Sequence, residues 1–209
     1  MTRNQELYQA ILRGDRSTVQ KIFQSAIDQH ADVNELLEDS MIPAMREVGE
    51  RFARSEIYVP EMLIAARAMQ AGLTLIEPIL AKSNRKPRGK VAVGTVKGDL
   101  HDIGKNLVVI MLKGAGYEVL DLGINCPVEK YATAAAAGIN IIMCSALLST
   151  TMMYMKEVVN FFKNNSAVKI IVGGAPVTQK YADSIGAHGY GKNANEAVRI
   201  VERLTGAVA

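Results

Sequence analysis

Cysteine and histidine are scarce in this chain of 209 residues, which contains two cysteines and three histidines. The spacing of Cys126 and Cys144 matches no metal-binding or redox motif. A structural disulfide is disfavoured, because Cys144 lies in an apolar run and Cys126 precedes a proline in a predicted loop. His30 falls at a predicted helix end and His188 in a late loop, so no ligand cluster for a free metal ion is expected.

Three further absences each exclude a class of protein. The formal net charge is only +3, and no run of lysine and arginine is long enough to indicate nucleic-acid binding. No apolar stretch approaches the roughly 20 residues that a membrane span needs. The polar residues Met1 to Glu6 lead into no signal-peptide core. We therefore expect a cytoplasmic protein that binds neither nucleic acid nor membrane.

Residues 1–82 are predicted to form an all-helical bundle of four or five elements. Apolar side chains recur at spacings of three and four over residues 33–52 and again over residues 58–80. Pro43 indicates either a kink or a first-turn position in the former segment. A short helix is expected over residues 4–12, followed by a second that Ser17 caps. The methionines of this half are expected mainly in its core.

The polar segment 83–89 predicts a linker, and the hydrophobic period changes after it. Over residues 90–209, short apolar runs alternate with helical patterns. This alternation predicts a doubly wound α/β domain with a five-stranded parallel sheet and helices on both faces. Five strands favour a flavodoxin-like (Rossmann-like) arrangement over a six-stranded dinucleotide-binding fold. The expected strands are residues 91–96, 118–121, 139–145 and 169–172 and a short fifth near Gly189; the expected helices are residues 103–114, 128–137, 152–164, 178–184 and 195–204.

The loop after the first predicted strand contains the most informative residues, Gly98-Asp99-Leu100-His101-Asp102-Ile103-Gly104. Ligands of open α/β sheets bind beyond the carboxyl ends of strands. Asp99 is close enough to accept a hydrogen bond from one ring nitrogen of His101. The other nitrogen then keeps its lone pair, as in metal-bound histidines. Asp102 is expected to cap the following helix, and Gly104 allows a ligand to approach.

Small and hydroxyl-bearing residues follow the later strands. Four hydroxyl residues, more than helix capping needs, lie within seven positions after the third strand: Ser145, Ser149, Thr150 and Thr151. Gly173-Gly174 follows the fourth strand and Tyr190-Gly191 belongs to the fifth. Paired glycines form ordinary turns, but they also let backbone pass close to a bulky ligand. The pattern predicts a slot alongside the sheet, at the same edge as His101.

A nicotinamide-nucleotide site is disfavoured. Gly94, Gly98 and Gly104 do not match the G-x-G-x-x-G fingerprint. Asp121 alone, at the end of the second predicted strand, stands where a ribose-binding acid would lie. A nucleotide-binding flavodoxin-like protein is therefore only a distant alternative.

Three motifs, Asp99-x-His101-x-x-Gly104, Ser145-x-Leu147 and Gly173-Gly174, together resemble the signature of cobalamin-binding domains in order and in position at the strand ends. Val48-Gly49-Glu50-Arg51-Phe52 and Tyr58-Val59-Pro60-Glu61-Met62 resemble the helical cap module of the same proteins. This pairing is characteristic of corrinoid proteins of methyltransferase systems and of the matching region of cobalamin-dependent methionine synthase. The resemblance covers nearly the whole chain.

The resemblance implies that His101 is the lower axial ligand to cobalt and replaces the cofactor's own dimethylbenzimidazole, an arrangement called base-off, His-on. Asp99 would hold His101 and share its proton. A hydroxyl of the 145–151 segment would complete this catalytic relay, and Thr151 occupies the position where the family has serine. Phe52, and Val59 where the family often has leucine, would cover the upper corrin face and shield the methyl group.

The nucleotide tail of the cofactor would lie in the predicted slot. Ser145 and Leu147 would contact the tail, Gly173-Gly174 would give it room, and Tyr190-Gly191 would lie near its far end. The full set of residues implied to bind cobalamin is Phe52, Val59, Gly98, Asp99, His101, Asp102, Ile103, Gly104, Ser145, Leu147, Ser149, Gly173, Gly174, Tyr190 and Gly191.

The resemblance also implies a function. The protein would accept a methyl group from a substrate-specific methyltransferase and deliver it to a second one that uses a tetrahydrofolate or thiol acceptor. Cobalt would alternate between methyl-Co(III) and Co(I), with a reductive activator as a further partner, and the chain alone would catalyse little. Methanol, methylamines, betaines and aryl methyl ethers all stay open as donors, because the partner enzyme selects the donor.

Two alternatives use the same cofactor. The first is the cobalamin-binding subunit of a carbon-skeleton mutase, which would leave the helical half with Phe52 unexplained. The second is a cobalamin-dependent sensor, for whose DNA-binding domain the charge of +3 is too mild.

Overall fold

The computed structural model describes residues 3–80 and 87–206. Its Cα positions divide the chain into two compact units, Met1–Pro87 with Gly114–Gly116 and Arg88–Lys113 with Tyr117–Ala209. In residues 3–80 every regular element is helical, and the second unit contains a sheet with helices. The boundary between the helical unit and the sheet-containing unit lies where the hydrophobic period of the sequence changes. Residues 83–86 of the predicted linker lie outside the described residues.

The helical unit begins with two helices whose boundary differs from the prediction. Asp15, not Ser17, caps the second helix, because its carboxylate accepts the Thr18 N–H at 3.1 Å. Ser17 instead donates its hydroxyl to Asp15 at 2.9 Å. Gly14, with φ of 70°, ends the first helix and turns the chain directly into this cap. In order, the elements are α1 (Gln5–Arg13), α2 (Arg16–Asp28), α3 (Val33–Leu36), a π-helical turn (Leu37–Met41), α4 (Ile42–Ala53) and α5 (Val59–Leu80).

The π-helical turn interrupts the predicted 33–52 helix and divides it into α3 and α4. Pro43 lies in the first turn of α4, directly after the π-helical turn. Pro60 likewise lies in the first turn of α5. The change of helix type therefore coincides with the position that the proline predicted.

Methionine supplies much of the helical core, since Met41, Met45, Met62 and Met69 are all buried. Contrary to the expectation from sequence, α5 is long and apolar enough to cross a membrane by length and composition alone. The core helix of a bundle meets the same criteria. Because Met62, Met69 and Ile76 are fully buried within the unit, α5 is its central helix.

The second unit is the predicted five-stranded parallel sheet with helices. The strand order is β2-β1-β3-β4-β5, and each pair of neighbours is parallel. This is the flavodoxin-like order, whose ligands bind at the switch point between β1 and β3. The elements are β1 (Lys90–Val96), α6 (Ile103–Gly114), β2 (Glu118–Cys126), α7 (Val128–Ala136), β3 (Ile141–Ser145), α8 (Ser149–Met152), α9 (Met155–Phe161), β4 (Lys169–Gly173), α10 (Gln179–Ile185), β5 (Gly189–Gly191) and α11 (Ala194–Thr205).

Two elements differ from the prediction. The second strand continues past Asp121 to Cys126, although Gly123 (φ 81°) and Asn125 (φ 49°) have turn-like backbone conformations. Pairing with β1 is kept through two register shifts, so the strand is bulged rather than ended. The predicted 152–164 helix is two short helices, and the first of them begins already at Ser149.

Both cysteines are buried free thiols on the sheet face that packs against α7. Burial raises the pKa of Cys144 to about 12 and also raises that of Cys126. Because the thiolate is the reactive form, neither side chain is a nucleophile in this fold.

Candidate functional site

His101 lies in the loop between β1 and α6, at the carboxyl edge of the sheet. Half of its side chain is exposed. Its Nδ1 lies 2.8 Å from Asp99 Oδ1, and its backbone N–H donates to the same oxygen at 3.1 Å. A carboxylate only accepts, so Nδ1 carries the ring proton and Nε2 keeps its lone pair. This is the tautomer that a metal ligand of Nε2 type requires.

Asp99 is fully buried and is surrounded by hydrogen-bond donors. Its Oδ2 accepts the Thr151 hydroxyl at 2.5 Å and the Leu147 N–H at 2.8 Å. Burial by itself raises the pKa of Asp99, but the hydrogen bonds from Thr151, Leu147 and His101 outweigh it. The pKa therefore lies below its ordinary value. Asp99 is held as the anion, and a proton shared with His101 resides on the imidazole.

Thr151 lies in α8, and the structure brings its hydroxyl rather than the neighbouring ones to Asp99. Its Oγ1 also lies 3.0 Å from the Leu148 carbonyl, which closes the first turn of the helix. Ser145 ends β3 half-buried, and Ser149 is exposed at the start of α8. Asp99, His101 and Thr151 thus form one hydrogen-bonded chain, although 52 residues separate the first from the last.

Exposed apolar side chains lie in the His101 loop and in the segment after β3 that contacts Asp99. Leu100 and Ile103 are 66% and 70% exposed, and Leu147 and Leu148 are also exposed. A Cβ added to Gly104 would meet no atom within 4 Å. Large apolar side chains beside an imidazole with a free lone pair fit a flat, largely apolar ligand that carries a metal ion.

Asp102 directly precedes α6, as expected for a residue at a helix start. Its carbonyl accepts the Asn106 N–H at 2.7 Å, and its Oδ2 accepts the Asn106 amide at 3.0 Å. Both contacts lie within the first turn of α6, so they stabilise the helix that follows His101.

Asp121 has a partner of its own. Lys105 Nζ lies 2.6 Å from Asp121 Oδ1 and 2.5 Å from its Oδ2. The Gly123 N–H donates to Oδ1 at 2.8 Å. A carboxylate engaged in this way is not presented to a ribose, so the structure adds a second argument against a nicotinamide site.

The paired glycines are explained by packing of the protein on itself. Gly174 has φ of 122°, and a Cβ there would overlap the Ala146 carbonyl oxygen. A Cβ on Gly173 would lie 2.8 Å from the Gly191 oxygen. Backbone of neighbouring strand ends therefore lies where a side chain of either residue would be placed. Tyr190 is half-buried in β5 beside them.

Phe52 and Val59 belong to the helical unit, where they lie on either side of the corner between α4 and α5. Phe52 is half-buried near the end of α4, and Val59 is exposed at the start of α5. Arg54 fixes this corner, because its Nε donates to Glu56 at 2.6 Å while its Nη2 lies 3.7 Å from Glu47.

Asn125 was missed by sequence reasoning. Its side-chain oxygen accepts the Gly98 N–H at 2.8 Å, and its own N–H donates to the Asp99 carbonyl at 3.0 Å. Thr95 was missed as well, and its hydroxyl donates to the His101 carbonyl at 2.9 Å. Asparagine tolerates positive φ better than most residues, which was the only local signal for the first of these contacts.

Known proteins match the chain in both halves. The B12 binding domain family matches residues 89–199, and a second B12 binding domain family matches residues 3–77. A corrinoid protein of Desulfitobacterium hafniense (strain Y51) is 38% identical in an alignment of 208 positions that covers 96% of each chain. The trimethylamine corrinoid protein of Methanosarcina barkeri is 38% identical in an alignment of 200 positions that covers 93% of this chain and 92% of its own.

Solved structures of cobalamin-binding proteins have a similar fold. The methanol:cobalamin methyltransferase complex of Methanosarcina barkeri contains a chain with a TM-score of 0.83 and 28% identity, covering 98% of this chain and 80% of that one. A cobalamin-binding protein of Desulfitobacterium hafniense DCB-2 has a TM-score of 0.76 and 29% identity, covering 97% and 98%. The predicted resemblance and fold class are confirmed. The chain belongs to the B12-binding corrinoid proteins of methyltransferase systems, and its cofactor is cobalamin.

Proposed function

We propose that this protein carries a methyl group on base-off cobalamin with His101 Nε2 as the lower ligand to cobalt. One observation supports this most strongly: the half-exposed His101 ring is held through Nδ1 by a buried, ionised Asp99. Nε2 is then a lone-pair donor in an apolar surface. When bound, cobalamin supplies a metal centre that accepts and releases a methyl group.

The residues of the chain would hold and move a proton at His101. Asp99 fixes the ring orientation, and Thr151 with the Leu147 N–H keeps Asp99 ionised. A His101 that is not acting as a ligand can accept a proton at Nε2 from solvent, because half of its side chain is exposed.

The helical unit would protect the upper face. We place Phe52 and Val59 over the corrin, residues 1–82 as the cap, 83–89 as the linker and 90–209 as the cobalamin-binding domain. The exposure of Val59 leaves it available for such a contact. A linker between the two would let the cap move aside for a partner's substrate.

The partners would be a substrate-specific methyltransferase, a second methyltransferase with a tetrahydrofolate or thiol acceptor, and a reductive activator, all in the cytoplasm. Support comes from the relatives, which include the trimethylamine corrinoid protein and the chain in the methanol:cobalamin methyltransferase complex. The donor is set by the enzyme that binds this carrier, and methylamines and methanol are the donors that these names indicate.

The ligation is tested by adding hydroxocobalamin to the purified protein and recording its visible spectrum. We expect stoichiometric binding with a base-off, His-on spectrum, which His101→Ala changes to one without a histidine ligand. His30→Asn is the matched control, because His30 is exposed at φ of 55° in the helical unit. A spectrum that is identical in wild type and His101→Ala would contradict the proposal.

Carrier and mutase are separated by a second measurement. The reduced, cobalamin-loaded protein is treated with a methyl donor, and a stable methyl-cobalt product is expected. A protein that retains adenosylcobalamin but forms no stable methyl-cobalt product would favour the mutase alternative.

A further inference from the structure

The loop that holds His101 rests against an irregular part of β2. Strand β1 pairs Val93 with Asp121, Gly94 with Gly123 and Val96 with Cys126, so the register shifts on both sides of Gly94. A bulge adds residues to one strand and redirects their side chains and peptide groups. Here the added residues lie between Asp121 and Cys126, directly beside the loop.

Asn125 contacts this loop at two backbone positions. Its Oδ1 accepts the Gly98 N–H at 2.8 Å, and its N–H donates to the Asp99 carbonyl at 3.0 Å. The loop starts as a turn that the Asp99 N–H closes on the Val96 carbonyl at 3.1 Å, with Gly98 at φ of 83°. Asn125 therefore fixes the turn that aims Asp99 at His101.

The backbone of Asn125 is itself unusual. Among the described residues, three that are not glycine have positive φ: His30, Ser55 and Asn125. At φ near 49° its N–H and its side chain both contact the same loop. An uncommon conformation kept at a ligand site is an observation from which a functional role can be inferred.

A second contact ties the other end of the loop to the same part of β2. The Lys105 side chain, 2% exposed, lies within 2.6 Å of both Asp121 oxygens. It also donates to Asn106 Oδ1 at 2.7 Å. A buried ammonium group needs such partners. The His101 loop is thus held by Asn125 before the histidine and by Asp121 after it.

We propose that residues 121–125 of β2 form a clamp that places the His101 loop for ligation before cobalamin binds, with Asn125 as a positioning residue. The inference rests on the proposed ligation through His101. Asn125 reaches neither His101 nor its ring through its own side chain; it acts through Gly98 and Asp99. Ordering the loop in advance removes part of the entropic cost of binding.

Two substitutions separate the side-chain contact from the backbone conformation. Asn125→Gly tolerates φ of 49° and keeps the N–H that donates to Asp99, but removes the acceptor for Gly98. Asn125→Asp keeps an acceptor oxygen at the same place and is the matched control. Both variants leave Asp99, His101 and Thr151 unsubstituted.

The first readout is amide hydrogen exchange of the protein without cobalamin. We expect the Gly98 N–H to be protected in wild type and in Asn125→Asp, and to exchange at least about tenfold faster in Asn125→Gly. An unprotected Gly98 N–H in the wild-type protein would overturn the clamp, and this measurement needs no variant to fold.

The second readout is titration with hydroxocobalamin. Loss of one hydrogen bond to the loop should raise the Kd about three- to tenfold in Asn125→Gly, and should lower the His-on fraction of the visible spectrum. Asn125→Asp should stay near the wild type in both. Wild-type affinity and spectrum in Asn125→Gly, with a loosened Gly98, would overturn the positioning role.

The clamp and the ligation fail in different ways. If His101→Ala leaves the spectrum unchanged, the proposed ligation fails, whatever Gly98 does in hydrogen exchange. If His101→Ala removes the His-on spectrum but Asn125→Gly leaves both the Kd and the spectrum unchanged, the ligation stands and the clamp is wrong.

Discussion

Glycines follow both β1 and β4, but they serve opposite purposes at these two strand ends. Around Gly98 and Gly104 the space is open, and the nearest atom to a Cβ on Gly98 would be Thr151 Cγ2 at 3.7 Å. At Gly173 and Gly174 the same space is filled by backbone of the protein. Glycine after β1 thus leaves open space at this edge of the sheet, whereas glycine at the end of β4 lets strand ends pack together.

The largest expected effect is on stability at the β4 end. Gly174→Ala introduces a Cβ onto the Ala146 carbonyl at φ of 122°, which should cost about 3 kcal/mol or more of unfolding free energy for the second unit. Gly186→Ala is the control, because Gly186 (φ 76°) has no atom near its Cβ position and should cost only about 1 kcal/mol. Amide exchange in β3 and β4 under increasing urea measures both, and equal costs would refute the packing explanation.

The next effect concerns the hydroxyl that joins α8 to the β1 loop. Thr151→Val keeps the side-chain shape but removes the donor to the buried Asp99 carboxylate, and should cost about 2 kcal/mol of unfolding free energy. Thr151→Ser keeps the hydroxyl and should cost less than about 1 kcal/mol. Urea denaturation of the protein without cobalamin compares them. If Thr151→Val were as stable as Thr151→Ser, the Thr151 hydroxyl would not stabilise the protein through its hydrogen bond to Asp99.

Gly104→Ala tests the role of the open space after β1. The added methyl group meets no protein atom, and alanine is the better helix former in the first turn of α6. Stability should therefore stay equal or rise by about 0.5–1 kcal/mol. Affinity for hydroxocobalamin should fall, because the cofactor would occupy that space. Unchanged affinity in a titration would place the cofactor elsewhere along the loop.

The smallest effect is on the pH dependence of the β4 and β5 end. His188 accepts the Ile170 N–H at 3.1 Å and is therefore neutral there. Burial, with the Lys169 charge, lowers the pKa of His188 below its usual 6.5. Its contribution to stability is full above pH 6.5 and is lost as pH falls from 6.5 through the lower native pKa. The urea midpoint should decrease as the pH is lowered from 7.5 to 5.5, and it should decrease less in His188→Gln. An equal decrease in both proteins would show that His188 does not cause this pH dependence.

Much of the fold follows from the sequence, because each element carries its own period. The alternation after residue 90 predicted all five strands in order, and Pro43 marked the interruption of the 33–52 segment. Boundaries were less predictable. Gly123 and Asn125 are turn residues by local preference, and only pairing with β1 keeps them in a strand. Ser17 and Asp15 are both good caps, and the left-handed Gly14 decides between them.

The candidate site likewise contains residues that the sequence predicts and residues that only the fold identifies. Asp99 and His101 are two residues apart, so their hydrogen bond could be inferred from sequence alone. Thr151 could be placed only through the family resemblance. Asn125 contacts Gly98 across 27 positions, and the tolerance of asparagine for positive φ is the only local indication of that contact. For Gly174 the sequence indicates that a side chain is excluded, but only the fold identifies the Ala146 backbone as the reason.

Both proposals depend on His101 Nε2 as the lower ligand to cobalt. Electron paramagnetic resonance of the cob(II)alamin form measures this ligation when the protein is labelled with ¹⁵N in histidine only and the cobalamin is unlabelled. Coordination by His101 predicts that the nitrogen superhyperfine triplet of the unlabelled protein becomes a doublet on labelling and disappears in His101→Ala. A triplet that survives the histidine label would assign the lower ligand to the cofactor's own dimethylbenzimidazole and would contradict the account.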